Sequence, residues 1–262
     1  MKDAQQESLR LVDLAESLRP RYDLEGLLAI FPDRWGGVSE APFSTLNLGF
    51  STGDDQNLVR ENRHRLVTAC GITLDQVVVP GQIHGAELAR VSRQDGGEGA
   101  NQPSSQLSGK DVLILEEPGV FVLSLAADCP LVGIADPRTK RAGVAHCGWR
   151  GTAAGALLRL LEAIEPGSEA VAVLSPAISG DQYPVGNEVL EAIQAIPGGA
   201  GACQGERVDL RTVLVSQLRL AGFSGDRIAI DQRCSATDPA LFSYRRDGGR
   251  TGRGGVLFGW KF

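Results

Sequence analysis

Residues 111–166 decide the fold of this chain: DVLILEEPGVFVLSLAADCPLVGIADPRTKRAGVAHCGWRGTAAGALLRLLEAIEP. The stretch contains several apolar runs separated by Pro and Gly turns, and a Leu-rich segment with helical spacing follows them. Apolar runs of this length, bounded by turn residues, are typical of buried strands. The stretch therefore predicts an α+β layered fold, in which buried strands are followed by a packing helix.

The segments on either side extend the same mixture of strands and helices. Residues 95–111 have no apolar periodicity and are predicted to form a loop. Apolar spacing, β-branched runs and Gly or Pro boundaries predict the remaining elements. They are a helix over 58–70, strands at 77–79, 88–91, 171–179 and 226–232, and helices over 187–196 and 208–223.

The 262 residues are expected to form a single domain over residues 1–262, because this length suits one sizeable core. No internal repeat of solenoid period is present. Four leucines recur among charged residues over 4–19 with roughly helical spacing, and Pro20 is placed to end a helix. Residues 1–20 are therefore predicted to form an N-terminal helical extension.

Composition and charge exclude several classes of protein. The chain has 26 basic and 32 acidic side chains, a formal net charge of −6, and no basic block, which disfavours nucleic acid as a partner. No apolar run is long enough to span a membrane, and the N-terminus lacks the apolar core of a signal peptide. We therefore expect a cytoplasmic protein whose five cysteines, with no CxxC spacing, are reduced.

His84, Cys129 and His146 all follow or precede apparent strands, where side chains can point into a cleft. Two imidazoles and one thiolate are suitable ligands for a single zinc ion with an open fourth position. The alternative is that the cysteine is a small buried residue and both histidines make local hydrogen bonds. The third histidine, His64, lies among arginines and is assigned to a solvated helix face.

The chain resembles a known family in five blocks that occur in order along the sequence. They are PGQIHGAE, LAADCPLVGIADP, AGVAHCGWRGTAAG, SPAISGDQYPVGNEV and FSYRRDGGRTGRGG. The QxHG, ADC and HxGWRG elements within them resemble the signature of the laccase-domain family, also called the multicopper polyphenol oxidoreductase family. Its members are interpreted as purine nucleoside phosphorylases, and the resemblance covers about residues 34–256.

The resemblance implies a single-domain, multilayered αββα sandwich with mixed β-sheets and one zinc ion, with copper as an alternative occupant. The ligands it implies are His84, Cys129 and His146. It also implies phosphorolysis of adenosine, inosine, guanosine and methylthioadenosine, with adenosine deamination as a second activity. The expected partners are thus small molecules, a nucleoside and phosphate, and no oligomeric state is predicted.

Further site residues follow from the needs of this chemistry. Asp128 is a candidate acid/base group beside the thiolate ligand, or alternatively a carboxylate that caps a turn. Phosphate requires guanidinium groups, which bind it with two parallel hydrogen bonds. The candidates are the catalytic residues Asp128 and Arg63, and the substrate-binding residues Ser44, Asn47, Arg150, Arg245 and Arg246.

Three rival functions use the same residues. A copper-dependent polyphenol oxidase of the laccase type would need many histidines, and this chain has three. A cysteine hydrolase would use Cys129 as the nucleophile, which a bound metal would block. Amide hydrolysis during editing of cell-wall precursors is the third, and the sequence does not separate it from nucleoside chemistry. The chain also departs from the family at Asp181 and Gln182, where relatives often have cysteines, and at Cys147.

Overall fold

The computed structural model describes residues 8–104 and 106–262. Within these residues the chain forms thirteen β-strands and five α-helices. The strands are β1 (Leu11–Asp13), β2 (Leu27–Pro32), β3 (Val77–Val78), β4 (Leu88–Val91), β5 (Val112–Leu115), β6 (Phe121–Ala126), β7 (Leu131–Ala135), β8 (Ala142–His146), β9 (Val171–Leu174), β10 (Cys203–Gln204), β11 (Arg207–Val208), β12 (Ile228–Ile230) and β13 (Gly254–Trp260).

The helices lie between the strands and vary from five to fourteen residues. They are α1 (Gln56–Ala69), α2 (Trp149–Ala153), α3 (Ala156–Ile164), α4 (Asn187–Gln194) and α5 (Leu210–Leu220). Short 3₁₀ helices occupy Phe50–Thr52, Leu74–Gln76, Arg93–Asp95, Gly180–Gln182, Ala200–Ala202 and Gly225–Arg227. Among the described residues, none of these helices is long and apolar enough to cross a membrane.

Two mixed sheets contain most of the strands. The first has five strands in the order β1-β2-β13-β6-β3, and only its β6-β3 pair is parallel. The second has six strands in the order β12-β9-β7-β8-β5-β4, with parallel pairs at both outer positions and antiparallel pairs between them. Strands β10 and β11 form a separate two-stranded hairpin.

The two sheets pack face to face, and helices cover both outer faces. Alternation along β5 illustrates this, because Leu113 and Leu115 belong to the core between the sheets. Val112 and Ile114 point to the opposite face and pack with residues of α3 and α5. Helix α1 covers the outer face of the five-stranded sheet. The chain therefore forms the expected αββα sandwich with mixed sheets in a single domain.

The predicted N-terminal helix is wrong over the residues that the structure describes. Residues 11–13 form β1, which pairs antiparallel with β2, and turns follow over residues 14–21. The carboxylate of Asp13 accepts hydrogen bonds from the Ala15 amide and from Nε of Arg19, which stabilises these turns. Pairing with a sheet edge thus overrides a weak helical pattern. The part of that prediction over residues 1–7 lies outside the described residues.

Most other predicted elements are present, but the sequence pattern missed two strands that form the middle of the five-stranded sheet. Strand β13 has three glycines, which lower its β-propensity, although all seven of its residues are buried. It is held by pairing with β2 and β6, whose residues are far away along the chain. Strand β2 likewise shows no alternation of apolar and polar residues. Neither strand could be recognised without its partners.

Phe258 on β13 packs closely against β7 of the other sheet. Its side chain is fully buried, and a methyl group on Gly133 of β7 would lie only 2.7 Å from its ring. We expect Phe258→Ala to lower the free energy of unfolding by about 3–5 kcal/mol, because it removes a large buried ring and leaves a cavity. Urea denaturation followed by circular dichroism measures this change.

Leu220→Ala is the matched control for this experiment. Leu220 is 72% exposed at the end of α5, so its truncation should change stability by less than about 0.5 kcal/mol. Equal losses in the two variants would show that the inter-sheet contact of Phe258 does not stabilise the sandwich.

Candidate metal centre

The register of the six-stranded sheet brings three ligand-type side chains to one edge. His146 is the last residue of β8, which runs antiparallel to β5 and β7, so the end of β8 lies beside the starts of those strands. Cys129 immediately precedes β7, and His84 precedes β4, which is parallel to β5. The ligand atoms of all three side chains lie within 4.8 Å of one another.

Asp111, at the start of β5, organises this cluster. Its carboxylate is buried and accepts hydrogen bonds from the amides of Ile83, His84 and Gly85 at 2.8–3.1 Å. The same carboxylate lies 2.8 Å from Nδ1 of His146. One side chain therefore shapes the loop that carries the first histidine and also orients the second. His84 needs this support because it adopts a φ of 66°, which is unfavourable for a side chain with a Cβ.

The contact with Asp111 decides which nitrogen of His146 faces the cluster. With the proton on Nδ1 donated to the carboxylate, Nε2 is left as the ligand atom. Burial alone would lower the pKa of His146, but the neighbouring Cys129 thiolate and Asp111 raise it to about 9. Burial opposes ionisation of Asp111 as well, yet hydrogen bonds from His146 and Gly85 hold the pKa of its carboxyl below the usual value.

The thiol of Cys129 is activated by its surroundings. Burial disfavours the thiolate, but the two imidazoles outweigh burial and lower the pKa of Cys129 to about 6. The neighbouring Cys147 behaves in the opposite way, since burial raises the pKa of its thiol, which packs in the apolar core and donates a hydrogen bond to the carbonyl of Ala145. Cys147 is therefore an inert core residue, and Cys129 is the thiolate of the site.

Gly148 leaves room for the cluster at the start of α2. A methyl group on this residue would lie 2.8 Å from Sγ of Cys129 and 3.0 Å from Cδ2 of His84. Any side chain would thus displace two of the three ligand-type groups. This glycine lies within the HxGWRG motif, which by itself does not indicate its role. A residue without a side chain is required here because two ligands approach so closely.

The donor set of this cluster fits a metal ion. Two imidazole nitrogens and a thiolate leave one position open around a tetrahedral ion, which is the arrangement of catalytic rather than structural zinc sites. The carboxylate behind His146 is a common second partner of a metal-bound histidine. In the described part of the chain, this is the only group of three or more His, Cys, Asp or Glu side chains that converges in this way.

Asp128 lies beside the cluster, but both of its carboxylate oxygens are engaged. Oδ1 accepts a hydrogen bond from Oγ of Ser235 at 2.6 Å, and Oδ2 accepts one from the amide of Arg245 at 2.8 Å. The carboxylate therefore connects the β6–β7 segment to two later loops. This geometry matches the turn-capping alternative raised from the sequence.

Arg63, the second predicted catalytic residue, is held inside the protein by main-chain carbonyls. Its side chain is 1% exposed, and its Nε and Nη1 donate to the carbonyls of Leu48, Gly99 and Ala100. Burial lowers the pKa of this guanidinium to about 9. Arg63 on α1 therefore fixes two loops, and a catalytic role of this residue stays a prediction.

Asn47 is also structural, contrary to the expectation that it contacts substrate. It is fully buried, and its Oδ1 accepts hydrogen bonds from the amides of Gly49 and Arg253 while its Nδ2 donates to neighbouring groups. Ser44 is half-buried in the same loop, and its carbonyl accepts a hydrogen bond from Nε of Arg34. A substrate contact of its hydroxyl stays a prediction.

The three other predicted arginines differ in how many donors are free. All five N–H groups of Arg246 have acceptors, on Ser235, Leu241, Asp238 and Asp247, so this residue is not available to phosphate. The Arg245 guanidinium donates from Nη1 to the carbonyl of Pro184, finds no other acceptor in the described part of the chain, and lies over the Tyr183 ring.

Arg150 is exposed and lies 4.2 Å from the centre of the Trp149 ring. This stacking contact is the interaction that its guanidinium makes with the described residues. The described residues therefore leave all of its N–H groups unpaired. Arg150, like Arg245, is a cation near the start of α2 that is available to bind an anion.

Arg253 is a cation of this region that sequence reasoning missed. Its Nη1 donates to the carbonyls of Thr251 and Gly252, while the described residues offer its Nε and Nη2 no acceptor. Burial lowers the pKa of Arg253, and the negative charges of Cys129 and Asp128 oppose that effect. The sequence analysis named this residue only as part of the block FSYRRDGGRTGRGG.

Comparison with known proteins shows the family of this chain. Residues 28–261 match the family model described as multi-copper polyphenol oxidoreductase laccase. The chain belongs to this family. It is 34% identical over 242 residues to "Purine nucleoside phosphorylase YlmD" of Geobacillus stearothermophilus, covering 87% of this chain and 88% of that protein.

Two further relatives support the assignment. The chain is 37% identical over 222 residues to "Purine nucleoside phosphorylase Rv2149c" of Mycobacterium tuberculosis, covering 82% and 84% of the two chains. The crystal structure of the Bacillus licheniformis hypothetical protein YfiH superposes with a TM-score of 0.86 at 29% identity, covering 91% of this chain and 94% of that one. The His-Cys-His cluster of the present chain lies within residues 28–261, which match the family model.

Asp111→Asn tests whether the buried carboxylate supports metal binding. The carboxylate uses Oδ1 for the His84 amide and Nδ1 of His146, and Oδ2 for the amides of Ile83 and Gly85. An asparagine presents one acceptor oxygen, so one of these two pairs loses its acceptor, and the negative charge beside His146 is also lost. We expect the affinity for Zn²⁺ to fall about 10- to 100-fold, as found for partners of metal-bound histidines. Competition against a chromogenic chelator measures the dissociation constant.

Asp136→Asn is the matched control for this variant. Asp136 is also a buried aspartate that accepts hydrogen bonds from main-chain amides, but it lies at the opposite end of β7. Its replacement should cost stability and leave Zn²⁺ affinity unchanged. If both variants, or neither, lost affinity, Asp111 would have no specific role in the metal centre.

Proposed function

We propose that this protein is a zinc-dependent purine nucleoside phosphorylase. The observation that carries the proposal is the convergence of His84, Cys129 and His146 beside arginines with free donors. The relatives named purine nucleoside phosphorylase support the same activity. The substrates proposed are adenosine, inosine, guanosine and methylthioadenosine, with phosphate as the second substrate.

Zinc is proposed rather than copper because of the ligand set. A trinuclear copper cluster needs many imidazoles, whereas the chain has three histidines and one of them, His64, is exposed on α1 away from the cluster. A bound zinc ion would act as a Lewis acid and lower the pKa of a coordinated water. Asp111 and the loop of residues 83–85 would hold its ligands in place.

Phosphorolysis forms a bond between a phosphate oxygen and C1′ of the pentose while the bond from C1′ to the purine nitrogen breaks. The purine leaves with the bonding electron pair and needs a proton or a hydrogen bond. Arg150, Arg245 and Arg253 are proposed to bind the phosphate dianion, since their free N–H groups give charge-assisted hydrogen bonds in this region. Fixing phosphate against C1′ lowers the entropic cost of the reaction.

Tyr183 is proposed to stabilise the departing purine. Burial and the nearby Cys129 thiolate raise its pKa to about 12, so the phenol keeps its proton at neutral pH. Its hydroxyl has no hydrogen-bond partner among the described residues. The charges of Arg245, Asp128 and Arg150 also influence its pKa. The phenol can therefore donate a hydrogen bond to a ring nitrogen that becomes more basic as the glycosidic bond breaks.

Asp128 is proposed to position the Arg245 segment, because its two oxygens are held by Ser235 and by the Arg245 amide. Adenosine deamination is proposed as a second activity of the same centre. In that reaction the oxygen of water bonds to C6 of the purine, the bond from C6 to the amino nitrogen breaks, and ammonia leaves to give inosine. The balance between the two reactions would depend on how well phosphate occupies the arginine-lined side of the site.

The activity is tested by mass-spectrometric product analysis of zinc-loaded protein with adenosine, with and without phosphate. We expect adenine and ribose 1-phosphate in the phosphate arm, and loss of both in His84→Ala because the metal loses a ligand. Inosine formed without phosphate would identify the deaminase reaction. No turnover of any nucleoside in either arm would refute the proposed function and favour amide hydrolysis.

Arg253→Gln tests the phosphate contact separately from the metal. The expected result is an increase of about 10-fold or more in KM for phosphate, since a charge-assisted hydrogen bond is lost, with KM for adenosine nearly unchanged. Steady-state kinetics with phosphate varied at saturating nucleoside measures this effect. Arg250→Gln, an exposed arginine three residues earlier, should have little effect; a similar rise in that variant would indicate general electrostatic attraction.

A further inference from the structure

A cavity lies along α5, outside the set of residues that form the metal centre. Its volume is about 590 Å³, and a smaller cavity of about 280 Å³ adjoins it and shares four lining residues. None of His84, Cys129 or His146 lines either cavity. The larger cavity is bounded by α5, by the 196–201 loop and by the end of β12.

Arg211, in the first turn of α5, lines both cavities and is the unusual feature of this region. The residue is only 8% exposed, yet its guanidinium has a single acceptor among the described residues, the carbonyl of Asp231 at 3.4 Å from Nη1. No carboxylate of the described residues forms an ion pair with it. Its Nε and Nη2 therefore have hydrogen-bonding capacity that the described residues do not use.

The free nitrogens of Arg211 form a suitable edge for an oxyanion. Since Nη1 makes the only hydrogen bond, Nε and Nη2 remain, and these two nitrogens carry parallel N–H groups along one side of the guanidinium. That edge binds two oxygens of a phosphate or carboxylate at once. Thr212 and Ser216 line the same cavity and supply hydroxyl groups.

The charges around the cavity also favour an anion. Arg219 lines the larger cavity and Arg207 the smaller one. Asp209 lines both, but its Oδ1 already accepts hydrogen bonds from the amides of Arg211 and Thr212 at the start of α5. In the larger cavity, two arginines thus face one aspartate that is already engaged as a helix cap.

The remaining wall is apolar and larger than a phosphate group requires. Ile196, Val215 and Ile230 line the cavity beside the polar groups. A free phosphate ion would fill a small part of 590 Å³, whereas an ester with an apolar body would use both kinds of wall. We infer that this cavity is a binding site for a small phosphate monoester with an apolar body, whose phosphate contacts the Nε and Nη2 edge of Arg211.

Isothermal titration calorimetry with phenyl phosphate tests the inference on the intact zinc-loaded protein. We expect a site that survives in Arg253→Gln and whose affinity falls at least about 10-fold in Arg211→Gln, because a bidentate charge-assisted contact is lost. Phenyl phosphate that binds at the metal centre instead should lose affinity in Arg253→Gln and keep it in Arg211→Gln. Arg159→Gln replaces an exposed arginine on α3 and should leave the affinity at either place unchanged.

Two further arms complete the test. Inorganic phosphate should bind the Arg211 site more weakly than phenyl phosphate, and phenol should bind far more weakly still. Arg211→Gln should retain wild-type nucleoside turnover, and Arg211→Lys, which keeps the charge but not the two-donor edge, gives the same test if the glutamine variant does not fold. Unchanged phenyl phosphate affinity in the Arg211 variants, or equal affinity for phenol, would overturn the inference.

Discussion

The carboxylate of Asp111 is the interaction on which the metal centre depends. It is buried at the start of β5, where it holds three successive amides of the loop before β4 and the Nδ1 atom at the end of β8. These segments are distant in sequence and adjacent only in the folded sheet. Because a buried carboxylate must be fully hydrogen-bonded, it fixes the loop and the imidazole together rather than either one alone.

The sandwich explains why this edge of the sheet is available for chemistry. Both faces of the six-stranded sheet are covered, one by the second sheet and the other by α3 and α5, so its inner strands are buried and the ligand-type side chains lie at strand ends. The short connection from β6 to β7 passes from one sheet to the other and carries Asp128 and Cys129. The thiolate therefore lies where the two sheets meet, close to loops from both.

The sequence predicted the ligand-type residues and the layered architecture. It did not predict the residues that orient the ligands and leave room for them. His84, Cys129 and His146 could be recognised because each stands in a distinctive block of sequence. Asp111 carries no such signal, since an aspartate before an apolar strand is common at turns. Only the pairing of Val112 with Ala145 places it opposite His146. Gly148 was visible in its motif, but its role required the positions of two ligands that come from other loops.

The arginines illustrate the limit of sequence reasoning most clearly. Arg63 and Arg246 lie in blocks that match the family, as Arg253 does, and all three have the same chemical capacity to bind phosphate. The fold distinguishes Arg246 from Arg253 by what their N–H groups already contact: carbonyl oxygens and a carboxylate accept all five N–H groups of Arg246, whereas the described residues offer no acceptor to Nε and Nη2 of Arg253. Arg63 differs from both by its burial, since it is 1% exposed and donates to three main-chain carbonyls. A guanidinium whose donors are all paired stabilises loops, and an accessible one with an open edge can bind a ligand. Unpaired donors and their access to solvent, not the motif, therefore determine which of these three arginines can bind phosphate.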